Sequence, residues 1–302
     1  MDYKELSQRQ KWTLNQKIDH SVGAIEAFIA GTGKVPFVSY SGGRDSTVLL
    51  DLARRYVDTD MKAVFCNTGN EYPEIVRFVR DTENVTIIRP KFTVREVIAK
   101  YGFPMISKEQ AQGIRQAKTT RSEKLRNIRL HGTDRSKGWV SGKIADRWQF
   151  LIDEPFMVSE KCCDCLKKRP FARYVKQTGE APIIGTMAGE SRLRAQQYVR
   201  RGGCNSFSET NTASYPLSIW TDGDIWNYIR TFNIPYCELY DNGHTRTGCM
   251  ICGFGAQYET ERSRFESLYR QHPKAYQIFM GYANNGVTYR EALTKTGVKL
   301  PE

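Results

Sequence analysis

The chain has 302 residues, of which 40% are hydrophobic and 26% charged, as in folded globular proteins with room for a sizeable core. No apolar run approaches the roughly 20 residues that span a bilayer. The N-terminus also lacks a hydrophobic signal core, so we expect a cytoplasmic protein with no membrane partner. A net charge of +12 at pH 7 favours a polyanionic partner, either a nucleotide or a nucleic acid.

Apolar runs and helical patterns alternate along the first hundred residues. A helical stripe over residues 4–30 precedes a strand that begins at Val35, and we treat residues 1–34 as an N-terminal helix. The elements predicted next are a helix from Asp45, the strand Ala63–Cys66, the helix Glu74–Arg80, the strand Val85–Ile88 and the helix Val94–Tyr101. This alternation predicts a doubly wound, mostly parallel α/β sheet.

The most informative stretch joins the first strand to the helix that follows it. Two glycines lie in the segment Ser41–Ser46, which we call the phosphate turn, and glycine lets a backbone approach a ligand closely. Asp45 and Ser46 suit the first turn of a helix, whose N–H groups and positive dipole end attract an anion. Hydroxyl groups and Arg44 add further donors. We therefore predict a phosphate-binding turn rather than an ordinary strand–helix corner.

Two later strands are predicted to carry polar residues at the same edge of the sheet. The loop 67–73 follows the second strand, and the segment 185–194 follows a strand predicted at Ala181–Thr186. Ligands of doubly wound sheets bind at the carboxyl ends of the strands. The phosphate turn and these two segments therefore predict one nucleotide site.

Residues 107–150 differ in character, and we treat them as a basic insertion. Between residues 113 and 148 there are ten Lys or Arg and three acidic residues, a net charge of +7. The cations that recur every three residues, and are predicted to share one helix face, are Arg115, Lys118, Arg121 and Lys124. The segment is either a solvated helix face or a surface for a nucleic-acid backbone, with Trp139 and Trp148 as stacking platforms.

Five of the eight cysteines fall into two tight groups, which indicates metal ligation rather than a disulfide framework. Four thiolates, from Cys162, Cys163, Cys249 and Cys252, suit either a tetrahedral zinc ion or a [4Fe–4S] cluster. The side chains of adjacent cysteines diverge, and the larger cluster tolerates that spread better than zinc does. Buried structural cysteines are the alternative, and this is the interpretation we give to the isolated residues Cys66, Cys204 and Cys237.

Together these motifs resemble the adenosine phosphosulfate and phosphoadenosine phosphosulfate (PAPS) reductase family, within the PP-loop ATP pyrophosphatases. The phosphate turn resembles the PP-loop, and the cysteine pattern resembles the family's Cys-Cys…Cys-x-x-Cys. Pro216-Leu217, Trp220 and Asp224-Ile-Trp226 resemble a further family segment. The resemblance extends from about Lys34 to Gly255.

The resemblance implies a fold, a ligand set and a division of the chain. The fold is a doubly wound, mostly parallel α/β sheet of the adenine nucleotide alpha hydrolase type over residues 35–255, with a helical C-terminal extension over 256–302 and a cysteine cluster. The implied nucleotide-binding residues are Ser39, Ser41, Gly42, Gly43, Arg44, Asp45, Ser46, Thr68, Gly69, Gly185, Glu190, Ser191 and Arg194. Asp45, Arg44 and Ser46 are the expected catalytic residues, with Mg²⁺ beside Asp45. The four cysteines are the expected ligands of a [4Fe–4S] cluster.

Three functions stay open. The complete turn, and the absence of a cysteine after Cys252, favour an enzyme that cleaves ATP to AMP and pyrophosphate to activate an acceptor for sulfur transfer or nucleic-acid modification. The second is a thiol-dependent reductase of PAPS or adenosine phosphosulfate that releases sulfite, with Cys165 or Cys237 as nucleophile. The third is a non-catalytic nucleotide- or nucleic-acid-binding accessory protein. The oligomeric state, including a homodimer, is open as well.

Overall fold

The computed structural model describes residues 2–133, 142–209, 211–245, 247–260 and 263–301. Six strands of these residues form one sheet, and four others form two short pairs. In chain order the strands are β1 (Pro36–Tyr40), β2 (Ala63–Cys66), β3 (Val85–Ile88), β4 (Met105–Ile106), β5 (Ala181–Ile184), β6 (Asn205–Ser208), β7 (Asn211–Ser214), β8 (Gly253–Phe254), β9 (Ala283–Asn284) and β10 (Val287–Thr288).

Most helices start at a Ser, Thr or Asp side chain that accepts a hydrogen bond from a first-turn amide, as the strong N-cap preference of these residues predicts. In chain order the helices are α1 (Tyr3–Arg9), α2 (Leu14–Thr32), α3 (Arg44–Tyr56), α4 (Pro73–Arg80), α5 (Val94–Tyr101), α6 (Lys108–Thr119), α7 (Glu123–His131), α8 (Lys161–Cys163), α9 (Arg169–Thr178), α10 (Arg192–Arg201), α11 (Asp222–Phe232), α12 (Arg264–Gln271), α13 (Pro273–Met280) and α14 (Tyr289–Lys295).

The six-stranded sheet has the order β3-β2-β1-β5-β7-β6. All neighbouring strands are parallel except β6 and β7, which form an antiparallel hairpin at one edge. Strand β1 is paired on both sides, with Val38 opposite Ala63 of β2 and Ile183 of β5. The predicted doubly wound, mostly parallel α/β fold is confirmed. The carboxyl ends of β2, β1 and β5 are neighbours, as the predicted nucleotide site requires.

The chain divides into two compact units that do not follow simple sequence boundaries. Unit 1 is formed by 1–67, 71–89 and 171–247, and it contains the whole six-stranded sheet. Unit 2 is formed by 68–70, 90–170 and 248–302. The basic insertion and the C-terminal extension, which we distinguished in the sequence, are thus grouped in one unit, together with both cysteine groups.

Unit 1 has a continuous apolar core between its sheet and its helices. Phe37 and Val38 of β1 are fully buried, as are Val48 and Leu49 of α3. Burial of side chains of this size stabilises a fold by roughly 1.5–3 kcal/mol each.

Unit 2 is held by a short parallel pair of strands and a cluster of aromatic rings. Strand β4 pairs with β8, with Met105 opposite Gly253. The fully buried ring of Tyr289 stacks on Phe103 at 5.0 Å and meets the edge of Phe265 at 6.2 Å. These contacts place the start of α14 beside the strand pair.

Two of our helix predictions were wrong. The N-terminal segment is not one helix but two, because Thr13 starts α2 with a capping box to Gln16. The basic insertion has no single cationic face, because α6 ends at Thr119 and Ser122 caps a new helix, α7. Arg121 therefore lies between two helices, and Lys124 lies on a different helix from Arg115 and Lys118.

A search of the described part of the chain for helices long and apolar enough to cross a bilayer found none.

Candidate nucleotide site and cysteine site

The phosphate turn leaves β1 at Tyr40 and becomes α3 at Arg44. Gly42 has φ of +70°, which is unfavourable for residues with a side chain, and a Cβ there would lie 2.9 Å from Val79 Cγ2. A Cβ on Gly43 would lie 2.4 Å from Thr247 Oγ1. Both glycines are therefore required by the close approach of neighbouring chain segments.

Hydroxyl groups close the phosphate turn on itself. Ser46 Oγ accepts from the Ser41 N–H at 3.1 Å and donates to the Gly43 carbonyl at 2.9 Å. Ser41 Oγ lies 3.0 Å from Ser46 Oγ and accepts from the Gly43 N–H at 3.2 Å. Thr47 Oγ1 also donates to the Gly43 carbonyl, at 3.1 Å. The turn is thus preorganised at a helix N-terminus, which is the arrangement that binds phosphate.

Arg44 is held by groups that follow the turn by almost two hundred residues. Its guanidinium forms an ion pair with Asp222 at 2.8 Å and lies over the rings of Trp226 and Tyr240, at 5.4 and 5.8 Å from their centroids. Its backbone N–H donates to the Tyr240 hydroxyl at 2.9 Å. Only 11% of the side chain is exposed, so Arg44 shapes the site through a fixed position.

Asp45 follows Arg44 at the start of α3, and 30% of its side chain is exposed. Burial raises the pKa of its carboxyl, and the negative charge of Asp222 raises it further, while Arg44 and Arg194 oppose that shift. A partly buried carboxylate at a phosphate-binding turn is a suitable ligand for Mg²⁺ bound to phosphates.

The segment after β5 contacts the first turn of α3. A Cβ on Gly185 would lie 3.2 Å from the Asp45 carbonyl oxygen, so a larger residue would crowd the turn. Glu190 accepts from the Met187 N–H at 2.9 Å and forms an ion pair with Arg194. Ser191 caps α10 by accepting from the Arg194 N–H at 3.3 Å. Gly185 and Arg194 therefore lie beside Asp45, and their role in nucleotide binding stays a prediction.

The other predicted nucleotide residues are divided between the units. Ser39 lies in β1, between Val64 of β2 and Ile184 of β5. Thr68 and Gly69 belong to unit 2, where Thr68 is buried and its Oγ1 accepts from the Asn70 N–H at 3.2 Å. Their contacts with a nucleotide stay predictions.

The four cysteines predicted as ligands lie in unit 2, although 85 residues separate the two pairs. Cys162 is 7% exposed. Burial raises the pKa of its thiol well above the ordinary value, and the thiolates of Cys249, Cys163 and Cys252 raise it further, while Lys167 opposes them. The fold thus brings the other three sulfurs within electrostatic range of Cys162. Directly after them, residues Asp164–Lys168 form a π-helical turn, a distortion often found at functional sites.

The cysteine loop, Cys249–Cys252, is held from two sides by buried polar groups. The backbone carbonyl of Asn70 accepts from the Met250 N–H at 2.8 Å, and Asn70 Oδ1 accepts from the Ile251 N–H at 3.1 Å. The Tyr289 hydroxyl donates to the Ile251 carbonyl at 2.9 Å. These partners fix the backbone between the two cysteines.

The end of the cysteine loop has its own support. Arg264 Nη1 donates to the Cys252 carbonyl at 3.0 Å, and the same guanidinium is anchored to Glu259 at 2.7 Å. A Cβ on Gly253 would lie 2.4 Å from the Tyr289 hydroxyl oxygen, so only glycine fits there. The loop therefore depends on residues from three separate parts of the sequence.

Neither nucleophile suggested for the reductase function is accessible. Cys165 is 2% exposed and Cys237 is 1% exposed. Cys66 and Cys204 are buried as well, so all three isolated cysteines have the predicted burial. Among the described residues, no group of three or more His, Cys, Asp or Glu side chains is arranged to hold a metal ion.

Several cations of the basic insertion are used inside unit 2. Arg115 forms a bidentate pair with Glu160, at 2.7 and 3.0 Å, and Lys118 donates to the Phe156 carbonyl at 2.9 Å. Trp148 is 7% exposed, so the prediction that it is a stacking platform was wrong. Trp139 lies outside the described residues. Among the described residues of this region, the exposed cations are Lys108, Arg121, Lys124, Arg126 and Arg147.

Sequence reasoning missed the long-range partners of both sites. Asp222 and Tyr240 at the phosphate turn, and Asn70, Arg264 and Tyr289 at the cysteine loop, were not predicted. Their separation from the sites in sequence left no local signal. Trp226, which lies against Arg44, did have a local signal, because it belongs to the family segment Asp224-Ile-Trp226.

Comparison with known proteins identifies one family. A family model described as "Phosphoadenosine phosphosulfate reductase domain" matches residues 35–142 and 118–254. An uncharacterised protein of Methanocaldococcus jannaschii is 22% identical over 89% of this chain and 48% of its own length. An adenosine 5'-phosphosulfate reductase of Oceanobacillus iheyensis is 33% identical, over 31% of this chain and 37% of its own.

Among solved structures, the phosphate complex of phosphoadenylyl-sulfate reductase from Candida auris matches with a TM-score of 0.43 and 15% identity, over 82% of this chain and 96% of that one. The chain spans about half the length of the first curated relatives that it matches. Because the family model covers all six strands of the main sheet, the phosphate turn and both cysteine groups, the chain belongs to the phosphoadenosine phosphosulfate reductase domain family.

Proposed function

We propose that this protein cleaves ATP to AMP and pyrophosphate, and so activates an acceptor for sulfur transfer or nucleic-acid modification. The observation that supports this most directly is the complete phosphate turn, closed by its own hydroxyl groups at the N-terminus of α3 with the Asp45 carboxylate beside it. Such a turn suits the triphosphate of ATP, whose leaving group is a polyanion.

In the proposed reaction an acceptor oxygen attacks the α-phosphorus in line. The new O–P bond forms as the bond to the β-phosphate breaks, and pyrophosphate departs with the bonding electrons into the phosphate turn. The dipole of α3 and the amides of Gly42 and Gly43 would stabilise the developing charge. For this the Gly43 N–H, which donates to Ser41 Oγ in the structure, would turn to the pyrophosphate. Asp45 is the residue that would hold Mg²⁺ against the phosphates, and Arg44 contributes a fixed positive charge.

The four cysteines suit a [4Fe–4S] cluster by their donor chemistry, and all four lie in unit 2. The proposed ligands are Cys162, Cys163, Cys249 and Cys252. Besides burial, the negative charges of the other three thiolates raise the pKa of the Cys162 thiol, which indicates that they lie near it. The cysteine loop is fixed by Asn70, Arg264 and Tyr289. When bound, such a cluster would supply or relay sulfur.

A cysteine variant can test the ligand set. Anoxically reconstituted Cys252→Ser should lose the brown colour, iron and acid-labile sulfide, whereas Cys204→Ser should keep them. Cys204 serves as the control because it is buried in unit 1. A wild-type protein that is colourless and binds zinc instead would overturn the cluster.

The second candidate function is the thiol-dependent reduction of a sulfonucleotide. The family model and the similarity to an adenosine 5'-phosphosulfate reductase favour it. It requires a nucleophilic thiol, and the burial of Cys165 and Cys237 opposes that role for either residue.

One experiment separates the candidates. The protein is incubated with Mg²⁺ and ATP, with and without bulk RNA, and in parallel with PAPS or adenosine phosphosulfate plus a thiol reductant. Pyrophosphate without sulfite supports the proposed function, while sulfite without pyrophosphate identifies a reductase. Nucleotide binding with neither product would indicate the non-catalytic accessory function.

A further inference from the structure

Asn70 is a fully buried residue of unit 2 whose oxygens both accept from the cysteine loop. Its backbone oxygen accepts from the Met250 N–H at 2.8 Å, and its Oδ1 accepts from the Ile251 N–H at 3.1 Å. Its own N–H donates to Thr68 Oγ1 at 3.2 Å. The residue is therefore locked in place against the backbone between Cys249 and Cys252.

The Nδ2 group of Asn70 takes no part in these contacts. It is buried and has no hydrogen-bond partner among the described residues. An exchange of nitrogen and oxygen in the carboxamide would not resolve this, because the Ile251 N–H needs an acceptor and therefore requires the oxygen where it is. Buried donors without an acceptor are rare in folded proteins, so this one needs an explanation.

We propose that Asn70 Nδ2 donates a hydrogen bond to a sulfur of the cluster or of its ligands Cys249 and Cys252. The carboxamide is planar and its oxygen lies on the residue between these cysteines, so its N–H₂ group lies beside the same loop. Thiolate sulfurs accept hydrogen bonds, and hydrogen bonds to cluster sulfurs raise the reduction potential. Asn70 is then a positioning residue that also tunes the cluster. This inference rests on the cluster of the proposed function.

A pair of asparagine variants isolates the donor. Asn70→Asp keeps an oxygen for the Ile251 N–H but replaces the N–H₂ group by an acceptor. The matched control is Asn284→Asp in the same unit, because Asn284 is 3% exposed and its Nδ2 already donates to the Ile98 and Ala99 carbonyls at 2.9 Å. Both variants introduce the same charge, but only the first should remove an N–H···S bond.

The measurements are made on the reconstituted full chain. The midpoint potential is titrated by electron paramagnetic resonance at about pH 9, where an ordinary carboxyl is fully ionised. Iron and acid-labile sulfide are assayed in parallel. In protein labelled with ¹⁵N-asparagine, pulsed electron paramagnetic resonance detects the magnetic coupling between the reduced cluster and a nearby ¹⁵N nucleus. We expect this coupling in the wild type and in Asn284→Asp, and its loss in Asn70→Asp together with a lower midpoint potential.

The outcomes distinguish this inference from the proposed function. A wild type that holds the cluster but shows no coupling, or an unchanged potential in Asn70→Asp, overturns the role of Asn70 and leaves the cluster in place. If Asn70→Asp retains no iron while Asn284→Asp does, and the two apo proteins melt alike, the role of Asn70 is supported. Equal iron loss in both variants overturns it. A wild type that assembles no iron and sulfide overturns the cluster and this inference together.

Discussion

The phosphate turn and the cysteine loop differ in what holds them. The turn is closed by hydrogen bonds among Ser41, Gly43 and Ser46, all within six positions of the chain. The cysteine loop is held by Asn70, Arg264 and Tyr289, which come from three other segments of the chain. The backbone of the first site is closed by local hydrogen bonds, although remote residues position Arg44, whereas the second site is held by tertiary packing.

This difference predicts how each site responds to mutation. A change in the phosphate turn should remove chemistry without unfolding unit 1, because the α3 core below it is independently buried. A change around the cysteine loop should weaken binding of the proposed cluster and also lower the stability of unit 2, because the same contacts fix the loop and hold the unit together.

The largest effect is expected for Asp45→Ala. Loss of the carboxylate proposed to hold Mg²⁺ should lower pyrophosphate release by about 10²-fold or more, since electrostatic groups at a transferring phosphate contribute on that scale. The melting temperature should not fall, because burial already disfavours the charged carboxylate. Pyrophosphate release and thermal melting are measured on the same preparation.

Asp60→Ala is the control for this variant, since Asp60 is exposed and belongs to the same unit. It should keep the wild-type rate. Unchanged pyrophosphate release in Asp45→Ala would remove Asp45 from the mechanism, and a cooperative loss of structure would contradict the separation of chemistry from stability.

The next effect is expected for Gly253→Ala at the cysteine loop. The added methyl group would meet the Tyr289 hydroxyl, which supports the Ile251 carbonyl, so the loop should lose that support. Overpacking of this kind costs about 1–3 kcal/mol. The free energy of unfolding, measured with denaturant, and the iron content should therefore both fall.

Gly23→Ala is the matched control for Gly253→Ala. Gly23 lies inside α2, and nothing lies within 4 Å of an added Cβ, so this variant should be as stable as the wild type or more stable. Full iron content in Gly253→Ala at reduced stability would show that the loop and the ligands are not coupled.

Elements with strong local signals were predicted well from the sequence. Strands β2 and β3 and helix α5 have the predicted bounds, because their apolar patterns are short and the Thr93 capping box starts α5. The hairpin β6–β7 was not predicted, since polar strands such as Asn205–Ser208 lack an apolar alternation. The helix break at Thr13 had a local signal, Thr13-x-x-Gln16, that could have revealed it.

The candidate sites were predictable to different depths for the same reason. The phosphate turn follows from its own residues. The gathering of Cys162 with Cys249 was inferred from the spacing and the family pattern. The tertiary contacts that shape each site, such as that of Asp222 with Arg44, form between segments that are remote in sequence. No local sequence pattern predicts such contacts.

The pH dependence of nucleotide binding should follow the titration of a single carboxyl, that of Asp45. Burial raises the pKa of Asp45, so its carboxylate is lost at a higher pH than that of an ordinary aspartate, and Mg²⁺–ATP affinity should weaken as the pH falls through this range. Because the folded state binds this proton more tightly, Asp45 contributes stability at low pH and loses it as the pH rises through the raised pKa. Asp45→Asn should abolish the acid limb and be more stable at neutral pH. Calorimetric titration and melting across pH measure both, and an acid limb that persists would assign it to another group.

The smallest effect concerns the basic surface of unit 2. Replacing Arg121, Lys124 and Arg126 together by Ala should weaken RNA binding and make its salt dependence shallower, by about 0.7–0.9 in logarithmic slope for each phosphate that is no longer neutralised. Stability should change by less than about 0.5 kcal/mol for each exposed substitution. The control removes three exposed cations from unit 1: Lys176, Arg192 and Arg200. Equal slopes for the two triple variants in a filter-binding titration would mean that only net charge attracts the nucleic acid. A change confined to the first variant would place the RNA-binding surface on unit 2, the unit that holds the cysteines.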